Sequence, residues 1–124
     1  MVIREADGQL DISGSPGELN VIADRIEQLP AGAELSIGAS AAADPRPYKR
    51  CLAALQAKAT DGPVRVALSD DRVVVTGSVA MMRTFASYFR FDATASRGTH
   101  NHHEWFDGND YVARDSVPLV ISVG

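Results

Sequence analysis

The chain has 124 residues, of which 45% are hydrophobic and 23% charged, and its 12 basic and 16 acidic side chains leave a net charge of −4. That length suits a single domain, for which roughly 50 to 250 residues is usual, and the composition excludes a disordered, collagen-like or coiled-coil chain. Lysine and arginine gather into no stripe, which argues against a nucleic-acid partner. The lone Cys51 rules out an internal disulfide, and the lack of about 18 consecutive apolar residues argues against a membrane span. Met1-Val2-Ile3-Arg4-Glu5 carries charge where a signal peptide needs an apolar run, so the expected location is the cytoplasm.

Val2 to Ala6 reads as a strand, Asp7-Gly8 as a tight turn, and Leu10 and Ile12 as the apolar side of a returning strand. Ser15-Pro16-Gly17-Glu18 supplies a helix cap, a first-turn proline and the glutamate of a capping box. Leu19, Ile22, Ala23, Ile26 and Leu29 then recur at helical spacing until Pro30 and Gly32 end the pattern. A strand over Glu34 to Gly38, a mobile small-residue loop over Ala39 to Pro47, and a helix near Tyr48 to Lys58 are expected next. Tyr48, Cys51, Leu52 and Leu55 give that helix its apolar stripe, with Cys51 in the core, and Arg46, Lys49 and Arg50 form its solvated side.

Val64, Val66 and Leu68 alternate along a further strand, Asp70-Asp71 turns, and Val73 and Val75 return. Ser78 caps a helix bearing Val79, Met82, Phe85, Ala86 and Phe89. A strand near His100 to Phe106, a polar turn over Asp107 to Asp110 and a last strand near Val117 to Val123 complete the chain. Pro118 suits the start or edge of that last strand, and an edge there offers a route to a homodimer.

A shift of 63 residues lays Asp7 on Asp70, Leu10 on Val73, Ile12 on Val75, Gly14-Ser15 on Gly77-Ser78, Leu19 on Met82, Ile22 on Phe85 and Ile26 on Phe89. Apolar meets apolar at each periodic position, which predicts two copies of a β-β-α unit, at about 2–29 and 64–90. Neither copy buries both its strands and its helix alone. The expectation is therefore an α+β fold, one domain over 1–124, with one mainly antiparallel sheet and both helices packed on one face.

Chemistry is invited chiefly by His100-Asn101-His102-His103-Glu104-Trp105. On a strand His100, His102 and Glu104 share one face, an arrangement able to ligate a metal, while Asn101, His103 and Trp105 share the other. The His-x-His element resembles that of cupins, which place their glutamate several residues further on. The plainer reading is a strand whose histidines only hydrogen-bond. Gly14-Ser15 and Gly77-Ser78 stand at helix starts, where phosphate can bind, but a cap explains both pairs. No P-loop, dinucleotide fingerprint, nucleophile elbow or paired-cysteine spacing is present, so neither an enzyme nor a cofactor is expected.

Taken in order, Leu10-x-Ile12-x-Gly14-Ser15, Val73-x-Val75-x-Gly77-Ser78, His100-x-His102 and Ser116-Val117-Pro118-Leu119-Val120-Ile121 make the chain resemble the immunity protein 32 family of bacterial polymorphic toxin systems. The resemblance implies a cytoplasmic α+β protein that binds a cognate toxin protein and blocks it without catalysis. It carries no catalytic residues across. His100, His102, His103 and Trp105 stand as the candidate contact strip, Trp105 fitting the core equally well. The alternative is a small metal- or ligand-binding protein or enzyme using His100, His102 and Glu104.

Overall fold

A computed structural model describes residues 1–124 as nine strands and two helices, an α+β fold. β1 (Val2–Ala6) and β2 (Gln9–Gly14) form a hairpin whose turn places Asp7 at φ 53° and Gly8 at φ 77°. Positive φ at both central residues gives the turn the twist that matches the flanking strands. Helix α1 (Pro16–Glu27) starts at Ser15, whose hydroxyl accepts from Glu18 N–H at 3.1 Å while Ser15 N–H donates back to the Glu18 carboxylate at 3.1 Å. Leu19, Ile22, Ala23 and Ile26 form its buried face.

The second hairpin, β6 (Arg65–Ser69) and β7 (Arg72–Gly77), turns through Asp70 at φ 54° and leads to α2 (Val79–Ser87), capped by Ser78. Met82, Phe85 and Ala86 are buried there, each 63 residues beyond its counterpart in α1. Leu19 and Met82 are both buried in the core.

The strands divide into two sheets where one was expected. β3 (Glu34–Gly38), β4 (Arg50–Leu52), β5 (Ala54–Ala59), β8 (His100–His103) and β9 (Leu119–Val123) complete a five-stranded sheet, β4-β1-β2-β9-β8, and a four-stranded sheet, β3-β5-β7-β6. β2 pairs in parallel with β9, and β7 in parallel with β5. All other pairings are antiparallel. The second strand of each hairpin therefore pairs in parallel with a strand that follows the other hairpin's helix, while β1 also pairs with β4, which follows its own. The cause lies in burial: one side of every strand must face apolar groups, and the crossed pairing joins both inner sheet faces and both helices in one cluster of 23 buried residues.

The helix expected over Tyr48 to Lys58 is replaced by β4 and β5. Leu55, Ala57 and Ala59 alternate inward along β5 while Lys58 points out, and pairing with β3 and β7 satisfies the backbone on both sides. Tertiary pairing outweighs the helical preference of this alanine-rich stretch. Arg46, Lys49 and Arg50 consequently line no helix, and each meets an acid, Asp44, Asp7 and Glu5 at 2.7, 2.6 and 2.9 Å. Cys51 is half-buried, its Sγ 3.3 Å from Ala43 O, and Arg4 Nε donates to Asp44 O, so the 39–47 loop is tied to the five-stranded sheet. Pro118 directly precedes β9, as expected, but β9 lies between β2 and β8 and offers no edge. No helix is long and apolar enough to cross a membrane.

Gly14 and Gly77 are equivalent in sequence but not in space. A Cβ on Gly14 would meet nothing nearer than 3.4 Å, whereas on Gly77 it would stand 3.2 Å from both Cα and Cγ2 of Val64. Gly77→Ala should therefore cost about 1–2 kcal/mol by crowding the backbone, and Gly14→Ala much less. Urea melts of the two variants test this; equal midpoints would refute it.

Candidate functional site

β8 alternates as its sequence requires. His100 and His102 project from the outer face of the five-stranded sheet and His103 turns into the core. The two outer rings meet edge to face at 5.0 Å, and His100 Nδ1 lies 2.9 Å from Gly98 O. In the neighbouring strands Asp11 Oδ1 accepts from Ser122 Oγ at 3.0 Å, and Arg4 Nη1 donates to Ser13 Oγ at 3.2 Å. Burial pushes the Asp11 carboxyl up, against the lowering effects of Ser122, Arg4 and His100. His102 and Glu104 share a cleft of about 260 Å³ with Gln9, Tyr48 and Pro118. The alternative trio of His100, His102 and Glu104 does not close, for no three His, Cys, Asp or Glu side chains converge in a way that would enclose a cation.

His103 leaves the candidate contact strip. It is 1% exposed, wedged edge-on between Phe85 at 4.9 Å and Tyr88 at 5.0 Å, and neither ring nitrogen has a hydrogen-bond partner. Desolvation pushes its imidazole down to about 4. The Tyr88 hydroxyl lies 2.8 Å from that of Tyr111, and burial followed by that bond pushes the phenol up to about 12. Gly14-Ser15 and Gly77-Ser78 serve as strand ends and helix caps.

The segment after β8 is the most distinctive surface. Trp105 is half-buried under the Arg114 guanidinium, 4.9 Å from its ring, so it belongs neither to the core nor to a bare contact face. Phe106 is 57% exposed, one of two large apolar side chains so displayed. Close to it in the chain are Glu104, Asp107 and Asp110, all exposed and none among the chain's ion pairs. Asn109 holds the turn from beneath: it is 4% exposed, its Nδ2 donates to Glu104 O at 3.1 Å, and its N–H donates to Phe106 O at 3.0 Å. Beyond the turn, Val64 N–H donates to Tyr111 O and Ala113 N–H to Val64 O, both at 2.8 Å, tying the chain to the four-stranded sheet. The loop thus spans from one sheet to the other, its backbone pinned by Asn109, and carries an exposed aromatic ring in a stretch rich in unpaired carboxylates.

Sequence reasoning placed Asp107 to Asp110 in a polar turn but passed over Phe106 and Asn109. The available signal was the run Glu104-Trp105-Phe106-Asp107, two aromatic residues between acids in a turn. No family model, curated protein or solved structure matches the chain.

His103 also sets a pH dependence. Its folded pKa lies below the unfolded value of about 6.5, so the unfolded state binds more protons between the two, and stability present above pH 6.5 is lost as pH falls towards 4. Between about pH 7.5 and about pH 5 the loss should be about 2 kcal/mol. His103→Leu should narrow that gap in urea-melt stability by about the same amount. An identical gap in parent and variant would assign the titration to another group.

Proposed function

We propose that this chain is an immunity protein that binds a cognate bacterial toxin domain and blocks it in the cytoplasm of the producing cell, without catalysis. The observation that carries the reading is the loop Glu104 to Asp110, where exposed Phe106 is followed and preceded within four residues by three exposed acids, Glu104, Asp107 and Asp110, that form no ion pair. Aromatic side chains are enriched at protein interfaces, where polar groups make up the rim. The loop's charge suits a toxin with a basic contact surface, such as one that handles nucleic acid, because opposite charge speeds encounter and fixes orientation. The resemblance of the chain's short motifs to the immunity protein 32 family points the same way. His100 and His102 flank the loop on the outer face of the five-stranded sheet and extend the contact, while Trp105, under Arg114, stiffens its base.

The test begins with the toxin encoded beside this gene. Co-expression of the present chain should rescue cells from that toxin, and the two should copurify. Phe106→Ala should weaken the complex by about 1–3 kcal/mol, roughly 5- to 150-fold, with the thermal melt little changed because the ring is already largely exposed. Asp107→Lys with Asp110→Lys should mainly slow association, by an amount that shrinks as salt is raised. A neighbouring product that harms no cell and does not bind removes the proposal; tight binding indifferent to both sets of changes moves the contact elsewhere.

A further inference from the structure

The two hairpins fill equivalent ladder positions on the outer faces of their sheets with different chemistry. Arg4 lies opposite Asp11 between β1 and β2, and Ala67 lies opposite Val74 between β6 and β7. Each residue of the second pair stands 63 positions beyond its counterpart in the first. Ala67 and Val74 show that such a place in the ladder is filled well by small aliphatic groups. In the first hairpin it holds two charges, with the side chains of Arg4 and Asp11 only 23% and 13% exposed.

Stability does not account for that exchange. Ions drawn out of water lose hydration that their attraction recovers only in close, hydrogen-bonded contact, and an apolar pair of similar volume usually serves as well. Arg4 Nη1 stands 3.9 Å from Asp11 Oδ2, beyond hydrogen-bond reach. Burial pushes the Asp11 carboxyl up, the mark of a charge kept where solvent serves it poorly. Other groups hold the two in place: Arg4 donates through Nε to Asp44 O at 3.0 Å and through Nη1 to Ser13 Oγ at 3.2 Å, and Asp11 Oδ1 accepts from Ser122 Oγ at 3.0 Å. A guanidinium has five N–H groups, so three of Arg4 stay unspent, and Asp11 Oδ2 accepts nothing. Neither Arg4 Nη2 nor Asp11 Oδ2 is sealed from solvent.

Both residues line a cleft of about 450 Å³ together with Ser13, Ser122 and Arg97. Arg97 is exposed and belongs to no ion pair. Glu18 also lines the cleft, but the Met1 ammonium already holds its carboxylate at 2.8 Å. We infer that this cleft binds a small organic acid that carries a hydrogen-bond donor on the carbon next to its carboxylate, the shared chemistry of α-amino and α-hydroxy acids. The carboxylate takes the unspent N–H groups of Arg4 and the Arg97 guanidinium, and the neighbouring ammonium or hydroxyl donates to Asp11 Oδ2. The 3.9 Å gap keeps the two ions from satisfying each other yet lets one small molecule touch both. A bare anion would suit the guanidiniums and set like charge against Asp11, and a simple amine would do the reverse. A ligand with both groups leaves neither side unmatched. The site lies on the outer face of the five-stranded sheet and is independent of the toxin-binding reading.

The second hairpin supplies the test. Arg4→Ala with Asp11→Val repeats the pair found at Ala67 and Val74, so the double variant should fold and melt within about 5 °C of the native chain. Titration of the isotope-labelled full chain with L-alanine and, separately, L-lactate should shift the amide signals of Ser13, Gly98 and Ser122, with a dissociation constant below about 1 mM for one acid or both. The tighter of the two identifies the donor that Asp11 receives. Acetate lacks the donor and ethylamine the carboxylate, and each should bind about tenfold or more weakly. The double variant should lose affinity by about the same factor, whereas Phe106→Ala should not alter it. Arg97→Ala changes an exposed side chain, so it folds whatever the double variant does, and it should weaken binding about fivefold. No shift with either acid at about 10 mM, equal binding of acetate, or binding unchanged in the double variant or in Arg97→Ala would each overturn the inference. A double variant melting far below the native chain would make the pair structural and overturn it as well.

Discussion

The two parallel pairings, β2 with β9 and β5 with β7, are the constraint on which the rest of this structure depends. The first joins Leu10 to Leu119 and Ile12 to Ile121; the second joins Leu55 to Val73 and Ala57 to Val75. A hairpin and one helix bury too little surface to offset the entropy of ordering them, and each hairpin gains its further pair of strands from beyond the other helix. The halves are thereby interlocked: β3 and β5 lie between α1 and the second hairpin in sequence but extend the second hairpin's sheet. Removing either parallel pair would open one inner face and expose the helix packed against it.

The similar layout of the two sheets makes their differences informative. Read outward from the hairpins, one runs β1-β2-β9-β8 and the other β6-β7-β5-β3. In these ladders His103 pairs with Leu119 as Ile37 pairs with Leu55, so an imidazole occupies the place of an aliphatic group. Burying that ring without a partner costs stability, of the size that a lone desolvated polar group usually carries. The strand it belongs to leads directly into the loop bearing Phe106. That loop is pinned at β8 on one side and against Val64 on the other, through the Val64–Val112 bridge. A segment held at both ends surrenders little freedom when it meets a partner, and such preorganisation favours tight binding.

Where local chemistry dictated local shape, the amino-acid order was readable without coordinates. Asp7-Gly8 predicted a tight turn, Ser15 and Glu18 a capped helix, and the three-and-four spacing of Leu19, Ile22, Ala23 and Ile26 the buried face of α1. The 63-residue match carried the same reading to Met82, Phe85 and Ala86, and alternation along His100 to His103 set His103 on the face opposite His100 and His102, without showing that this face was buried. The stretch from Tyr48 to Lys58 is ambiguous because Leu52 and Leu55 fit a helical stripe while Leu55, Ala57 and Ala59 fit a strand. Small alanines satisfy both periods equally.

Partner choice was outside the reach of the sequence, and it decided everything else. A strand's period states which residues face inward but not which strand lies beside it, since every inner face here is built from interchangeable aliphatic groups. Two sheets instead of one, the central place of β9, the covering of β6 by Ser116 and Val117, and the edge place of β3 all follow from contacts between segments tens of residues apart. The candidate contact strip was redrawn for the same reason: Phe85 and Tyr88 enclose His103, Arg114 covers Trp105, and Asn109 props Phe106 into solvent. Hydrophobic burial rewards any inward apolar surface alike, so the sequence by itself determined the elements and their buried faces, and only the packed tertiary structure decided what each face and edge would meet.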